Sequence, residues 1–186
     1  TFTGLKLQGA IGKFGNVELS DIAGYTQLPD GKVLSGTESG SLLLWDGNMI
    51  KCEISRDNQL PCHEGMIEVV YTEGSTFVTA GMDGCIRIWD SPTIDNAEPT
   101  DDMPIFPAEP LETIQLGKGV KIKGLLKGEG YWIVQNMDGS LLKYDRDSKE
   151  QKEVFLFHAG AITGLETSPV SHVAVSTADD GTVRLI

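Results

Sequence analysis

Cysteine is scarce in this chain: three of 186 residues, at positions 52, 62 and 85, an odd number with no framework spacing. A small disulfide-built domain is thereby excluded, and the usage suits a reducing compartment. Nine residues separate Cys52 from Cys62 and no second close pair follows. The neighbouring Cys52, Cys62 and His63 therefore lack the spacing of a zinc site, and no metal is expected.

Basic charge is equally short, with 15 Lys and Arg against 27 Asp and Glu for a formal net charge of −12. An acidic surface repels phosphate backbones and anionic headgroups, so neither nucleic acid nor membrane is an expected partner. Proteins remain. No apolar run approaches a membrane span, and no charged-then-apolar leader opens the chain, so the expectation is an intracellular protein of cytoplasmic origin.

Chemistry-bearing motifs are missing too. Gly117-Lys118-Gly119 lacks the Gly-Lys-Ser/Thr ending of a phosphate loop, and Val120-Lys121-Ile122-Lys123 alternates as a strand instead of opening a helix. Gly36-Thr37-Glu38-Ser39-Gly40 places its Ser one position late for a nucleophile elbow. Asp95, Glu98, Asp101 and Asp102 lack the Gly and terminal Glu of a calcium loop. No cofactor and no enzymatic activity are expected. A propeller enzyme would need carboxylates or a metal cluster converging on the inner strands, which this sequence does not offer.

No segment carries a convincing helical period, and what replaces it is a repeat. Gly40, Gly84, Gly139 and Gly181 are each followed five residues later by a large apolar residue: Trp45, Trp89, Tyr144 and Ile186. The first three are followed in turn by Asp. The Gly spacings are 44, 55 and 42 residues, and a period of about 40–45 with a Trp-Asp signature indicates β-propeller blades, each a four-stranded sheet. The fold class is all-β. A ring closes with about 4–8 blades, so residues 1–186 are expected to be about four blades of one larger propeller of about seven or eight. The repeats run at roughly 20–50, 63–116, 119–157 and 158–186.

Within them, alternation at Ile67, Val69 and Tyr71 marks a half-buried strand. Glu73-Gly74-Ser75 and Met82-Asp83-Gly84 mark turns, and Asp before Gly suits a tight turn because both tolerate its backbone angles. The 55-residue spacing has its own cause. From Ile88 to Gly117 there are seven acids and no base, and five of the eight prolines fall between Pro92 and Pro110. Proline breaks ladders and disfavours helix in the residue before it, so 91–110 is expected as an acidic, Pro-rich inserted loop. Its role is either a solvated loop of no specific use or a partner contact through Asp95, Glu98, Asp101 and Asp102.

On these residues the chain resembles the WD-repeat family over nearly all its length. The resemblance implies a hydrogen-bonded tetrad of His, Ser or Thr, Asp and Trp inside a blade. Repeat two has all four at His63, Thr79, Asp83 and Trp89. Repeat one keeps Ser35 and Trp45 but has Ser39 in place of Asp and no His. Repeat three has Asp138 and Tyr144, with Val134 at the hydroxyl position. Repeat four has His158, Ser176 and Asp180, with Ile186 in place of Trp. Repeats one and three are therefore expected to lean on apolar packing.

The opening from Gly4-Leu5-Lys6-Leu7 to Lys13-Phe14-Gly15, the stretch Leu28 to Gly47 and the region of Ile88-Trp89-Asp90 with its acidic extension Thr93-Ile94-Asp95 are further similar to large cilia- and flagella-associated WD-repeat proteins. That similarity implies a non-catalytic scaffold of the axonemal cytoskeleton in cilium and flagellum. Such a scaffold sits in a hetero-complex, the tether and tetherhead, that anchors an inner-arm dynein to the doublet microtubule and supports ciliary movement. Another axonemal or microtubule-associated WD-repeat scaffold, or a cytoplasmic WD-repeat adaptor, is the alternative.

Overall fold

The computed structural model describes residues 20–47, 49–57, 60–98, 105–117, 119–156, 158 and 162–185. Residues 4–15, Asp101, Asp102, Lys118 and Ile186, all used in the sequence reading, lie outside them. The chain divides after Gln115 into two compact units.

The first unit holds two sheets. In one, β1 (Ile22–Gln27), β2 (Val33–Thr37), β3 (Leu42–Asp46) and β4 (Met49–Ser55) pair in chain order as an antiparallel meander. In the other, β5 (Ile67–Glu73), β6 (Thr76–Gly81), β7 (Cys85–Asp90) and, after an insertion, β9 (Glu112–Gln115) do the same. The second unit holds β10 (Ile122–Lys127), β11 (Tyr131–Asn136), β12 (Ser140–Asp145) and β13 (Gln151–Leu156). Its other sheet is β14 (Ile162–Thr167), β15 (Ala174–Ala178) and β16 (Val183–Leu185). The fold is all-β and built of repeated propeller-type sheets. Among the described residues no helix is long and apolar enough to cross a membrane.

The repeated Gly makes the same turn four times. Gly40, Gly84, Gly139 and Gly181 have φ of 87°, 71°, 88° and 74°, a region that costs any residue with a Cβ. Each donates its N–H to the carbonyl three residues back: Thr37, Gly81, Asn136 and Ala178. A second repeated device is a β-bulge in each first strand, at Ile22/Gly24, Ile67/Val69, Ile122/Gly124 and Ile162/Gly164. The extra residue bends the first strand at a corresponding position in each described sheet.

Sheets one and two of the first unit meet through close backbone approach. A Cβ on Gly24 would lie 2.8 Å from the Glu68 carbonyl oxygen, and one on Gly36 would lie 2.6 Å from the Ile67 side chain. Gly40 accepts a hydrogen bond at its carbonyl from the His63 N–H at 3.0 Å. Between the sheets Leu34, Leu42, Leu44, Cys52, Ile54, Cys62, Ile67, Phe77 and Trp89 form one buried cluster. Phe77 and Trp89 stand opposite each other in the ladder with rings stacked at 6.0 Å.

The insertion departs from the loop expected at 91–110. It opens with the short helix α1 (Ser91–Asp95), capped by the Asp90 carboxylate accepting from the Thr93 N–H at 2.9 Å, with Pro92 in the first turn. Proline is excluded from helix interiors but not from a first turn, whose N–H has no intrahelical partner. Further on, β8 (Ile105–Pro107) runs parallel to β4 as a fifth strand of the first sheet. Pro107 sits at the end of this outermost strand, where a missing N–H costs no ladder bond. Sheet one thus runs past position 50, to Ser55, before taking β8 on its outer edge.

Candidate functional site

The described side chains singled out in the sequence fall on four recurring places: the segment before the first strand in sheets two and four, the interior of the second strand, the turn into the third, and the third strand itself. Ladder register sets this. Ser35, Thr79, Val134 and Ser176 stand opposite Leu43, Arg87, Leu142 and Arg184.

In sheet two the four side chains form one chain of hydrogen bonds. Trp89 donates its indole N–H to Thr79 Oγ1 at 2.9 Å. Thr79 Oγ1 lies 2.7 Å from His63 Nε2, and His63 Nδ1 lies 2.9 Å from Asp83 Oδ1. His63, Thr79 and Trp89 are wholly buried. Thr79 Oγ1 accepts from the indole and meets His63 Nε2, while His63 Nδ1 faces both the Asp83 carboxylate and, at 2.8 Å, Arg87 Nη1. Burial holds the His63 pKa below its ordinary 6.5, against the pull of Asp83, so the ring is neutral.

The carboxylate at the end is strongly held. Burial disfavours its charge, but hydrogen bonds from His63, from Arg87 and from the Cys85 N–H outweigh this and keep its pKa well below 3.8. Arg87 Nη1 donates to Asp83 Oδ2 at 2.8 Å, and the Glu64 and Cys85 N–H groups complete the shell at 3.2 and 3.1 Å. Asp83 therefore ties the turn, the third strand and the segment that crosses from sheet one.

Sheet four is wired differently. His158 Nε2 lies 2.7 Å from Ser176 Oγ, but His158 Nδ1 meets Thr182 Oγ1 at 2.7 Å, which donates on to Asp180 Oδ1 at 2.7 Å. A Thr hydroxyl is interposed between His and Asp, which stand 3.5 Å apart. Sheet one keeps only the Trp45 N–H donated to Ser35 Oγ at 2.8 Å, while Ser39 bonds with Ser20 and Thr37. In sheet three Val134 is buried, Trp132 stacks on Tyr144 at 6.0 Å, and Asp138 accepts from Ser140 at its N–H and its hydroxyl. There the buried Asn136 accepts from the N–H groups of Lys121 and Met137, both at 2.8 Å.

Arg87, Thr182 and Asn136 were not singled out by sequence reasoning. For Arg87 a signal exists: an Arg stands three residues after the repeated Gly only in the two repeats that carry the His, at Arg87 and Arg184. Leu43 and Leu142 stand there in the others.

A Thr, His and Asp at hydrogen-bond distances also form the outline of a nucleophilic triad, but Thr79 is wholly buried and its oxygen is engaged by Trp89. No substrate reaches it. Among the described residues no group of three His, Cys, Asp or Glu is placed to hold a metal ion. Burial pushes the Cys52 thiol up to about 11 and the Cys62 thiol up to about 12, and Cys62 donates to the Ile54 carbonyl at 3.2 Å.

Of the acidic residues read as a candidate partner contact, the two described ones are engaged inside the chain. Lys32 Nζ meets Asp95 Oδ1 at 2.7 Å, and Lys51 Nζ meets Glu98 Oε1 at 2.9 Å. Asp95 and Glu98 pair with lysines of sheet one, and the Glu98 side chain stays 81% exposed. This part of the insertion is thus a clasp on sheet one.

The WD domain, G-beta repeat pattern matches residues 55–90 and 149–186. Relatives named cilia- and flagella-associated protein 44 align over the whole chain: 42% identity in Mus musculus, 36% in Trypanosoma brucei brucei and 41% in Chlamydomonas reinhardtii. The chain spans 10%, 13% and 11% of those proteins. The crystal structure of the computationally designed Ika4 protein superposes with a TM-score of 0.53 at 18% identity, over 97% of this chain and 98% of that one. The designed Ika8 protein does so with a TM-score of 0.51 at 19% identity, over 91% and 46%. At those identities the likeness concerns the fold alone. With the Gly-to-Trp interval, the repeated sheets and the hydrogen-bonded His, Thr, Asp and Trp of sheet two, these similarities show that the chain carries repeats of the WD type.

Proposed function

We propose that this chain is part of a β-propeller in a non-catalytic scaffold of the ciliary and flagellar axoneme, where it helps anchor an inner-arm dynein to the doublet microtubule by protein contacts. The observation that carries the reading is identity of 36–42% along the entire chain to proteins named as cilia- and flagella-associated in three distant organisms. The site geometry supports a frame and not a reaction centre. In sheet two His63, Thr79, Asp83 and Trp89 are bonded to one another and spent on holding strands in register, so binding is left to loops and outer faces. A surface with net charge −12 favours basic or polar protein partners in a hetero-complex. Cross-linking of intact axonemes with mass-spectrometric readout tests this. Reproducible links from this region to dynein-arm or doublet proteins are expected, and links only to proteins outside the axoneme would overturn it.

A further inference from the structure

Sheet one differs from its neighbours at its outer edge. Its fourth strand, β4, is seven residues long and alternates buried Ile50, Cys52 and Ile54 with Lys51 and Glu53. Such an edge, long and half apolar, invites pairing by another strand. The fourth strand of sheet two has four residues, and that of sheet three carries exposed Gln151, Lys152, Glu153 and Val154. Short length and exposed charge blunt both without further cover. On β4 alone among the described sheets a fifth strand is laid.

Its seating is specific. Ile105, Phe106 and Pro107 pair in parallel with Glu53, Ile54 and Ser55. Ala108 then donates its N–H to the Ser55 carbonyl at 2.8 Å, and the Glu109 carboxylate accepts from the Asp57 N–H at 2.8 Å. Phe106 packs on the buried cluster, and Ala108 is part of it. The arm from sheet two is anchored separately, by Ile94 and Ala97 in the same cluster and by the Lys32–Asp95 and Lys51–Glu98 ion pairs.

We infer that the outer edge of β4 is a strand-acceptor site for a parallel extended segment of the form apolar-aromatic-Pro-Ala-Glu. Residues 105–109 fill it in cis, and the same segment of a second copy of this chain fills it when the cis arm is withdrawn. Main-chain pairing supplies the affinity, while the Phe106 seat and the carboxylate receptor at the Asp57 N–H supply the selectivity. Exchange of an identical element between copies requires no new surface, only release of the existing one.

The test uses the full-length protein with Ile105–Pro107 replaced by Gly-Ser-Gly, and a fluorescent peptide of residues 105–110 (Ile-Phe-Pro-Ala-Glu-Pro). Fluorescence anisotropy is expected to show binding to the variant at least about tenfold tighter than to the parent, whose edge is occupied. A peptide with Glu109→Gln is expected to bind about tenfold more weakly, as a charge-assisted bond is lost. Hydrogen exchange checks the fold: amides of β6 and β7 keep their protection, those of 53–55 lose it in the variant, and the peptide restores it. A second variant, Ala108→Pro, removes the N–H given to Ser55 and adds a ring at a buried position, and is expected to bind the peptide with intermediate strength. Equal binding to parent and variant, no binding to either variant, or unchanged protection of 53–55 overturns the inference.

Discussion

Replacing Thr79 by Val removes one oxygen from the centre of sheet two and leaves the shape of the side chain almost unchanged. Two buried groups then lose their partner, the Trp89 indole N–H at 2.9 Å and His63 Nε2 at 2.7 Å, in a place where all three residues are wholly buried and water cannot substitute. An unsatisfied buried polar group costs about 1–3 kcal/mol. The pair should cost about 2–4 kcal/mol, which is about 30- to 1,000-fold in the local opening equilibrium at about 1.4 kcal/mol per decade. Thr79→Ser keeps the hydroxyl and gives up one methyl, at a cost of about 1 kcal/mol. Sheet three supplies the control. Val134 holds the same ladder position opposite Leu142, beside Trp132 and Tyr144, and Val134→Thr should gain nothing. Hydrogen exchange by mass spectrometry on the full-length protein reads each sheet separately, with peptides covering 76–81 and 85–90. Exchange as slow in Thr79→Val as in the parent, or as fast in Thr79→Ser as in Thr79→Val, would refute the hydrogen-bond account.

Acid should loosen sheet two first. The His63 pKa is held below 6.5 in the fold, so its contribution is complete above about pH 6.5 and falls by about 1.4 kcal/mol per pH unit below it. Asp83, held below 3.8, adds a second loss as pH falls below about 4. Urea midpoints between pH 7.5 and 5 check the first step, and His63→Gln should flatten it. Gly40→Ala should cost more than about 3 kcal/mol, because a Cβ there overlaps the His63 carbonyl oxygen at a φ of 87°. Gly74→Ala, at φ 60° with nothing within 4 Å, should cost about 1 kcal/mol; thermal unfolding compares the two. Cys52, Cys62 and Cys85 are buried with thiol pKa values raised by burial, so native protein at pH 8 should resist iodoacetamide at all three, and full denaturation should expose them together.

Much of the frame was legible because a repeat prints the same physics several times. A Gly that must take positive φ, an indole five residues on and an Asp in the turn are fixed by backbone angle and burial, and each can be found by spacing. Arg87 was legible in principle by comparing repeats, since it co-occurs with the His. Asn136 and Thr182 were not, because each replaces a missing or displaced partner with a different residue type, and only register shows what it faces. The insertion was misread for a related reason. Proline content argued for a loop, but Pro92 sits in a first helical turn and Pro107 on an outermost strand, two places where a missing N–H costs nothing. The ion pairs of Asp95 and Glu98 were not legible because Lys32 and Lys51 lie far from them in sequence.

We propose that this segment works as a fixed scaffold beside a dynein arm. Cryo-electron tomography of axonemes carrying the full-length protein, with an electron-dense tag inserted at the exposed turn 147–150, tests it most directly. The account predicts one added density per axonemal repeat, at a constant position between an inner dynein arm and its doublet. Assembled axonemes without that density, with the tagged protein confined to the cytoplasm, would contradict it.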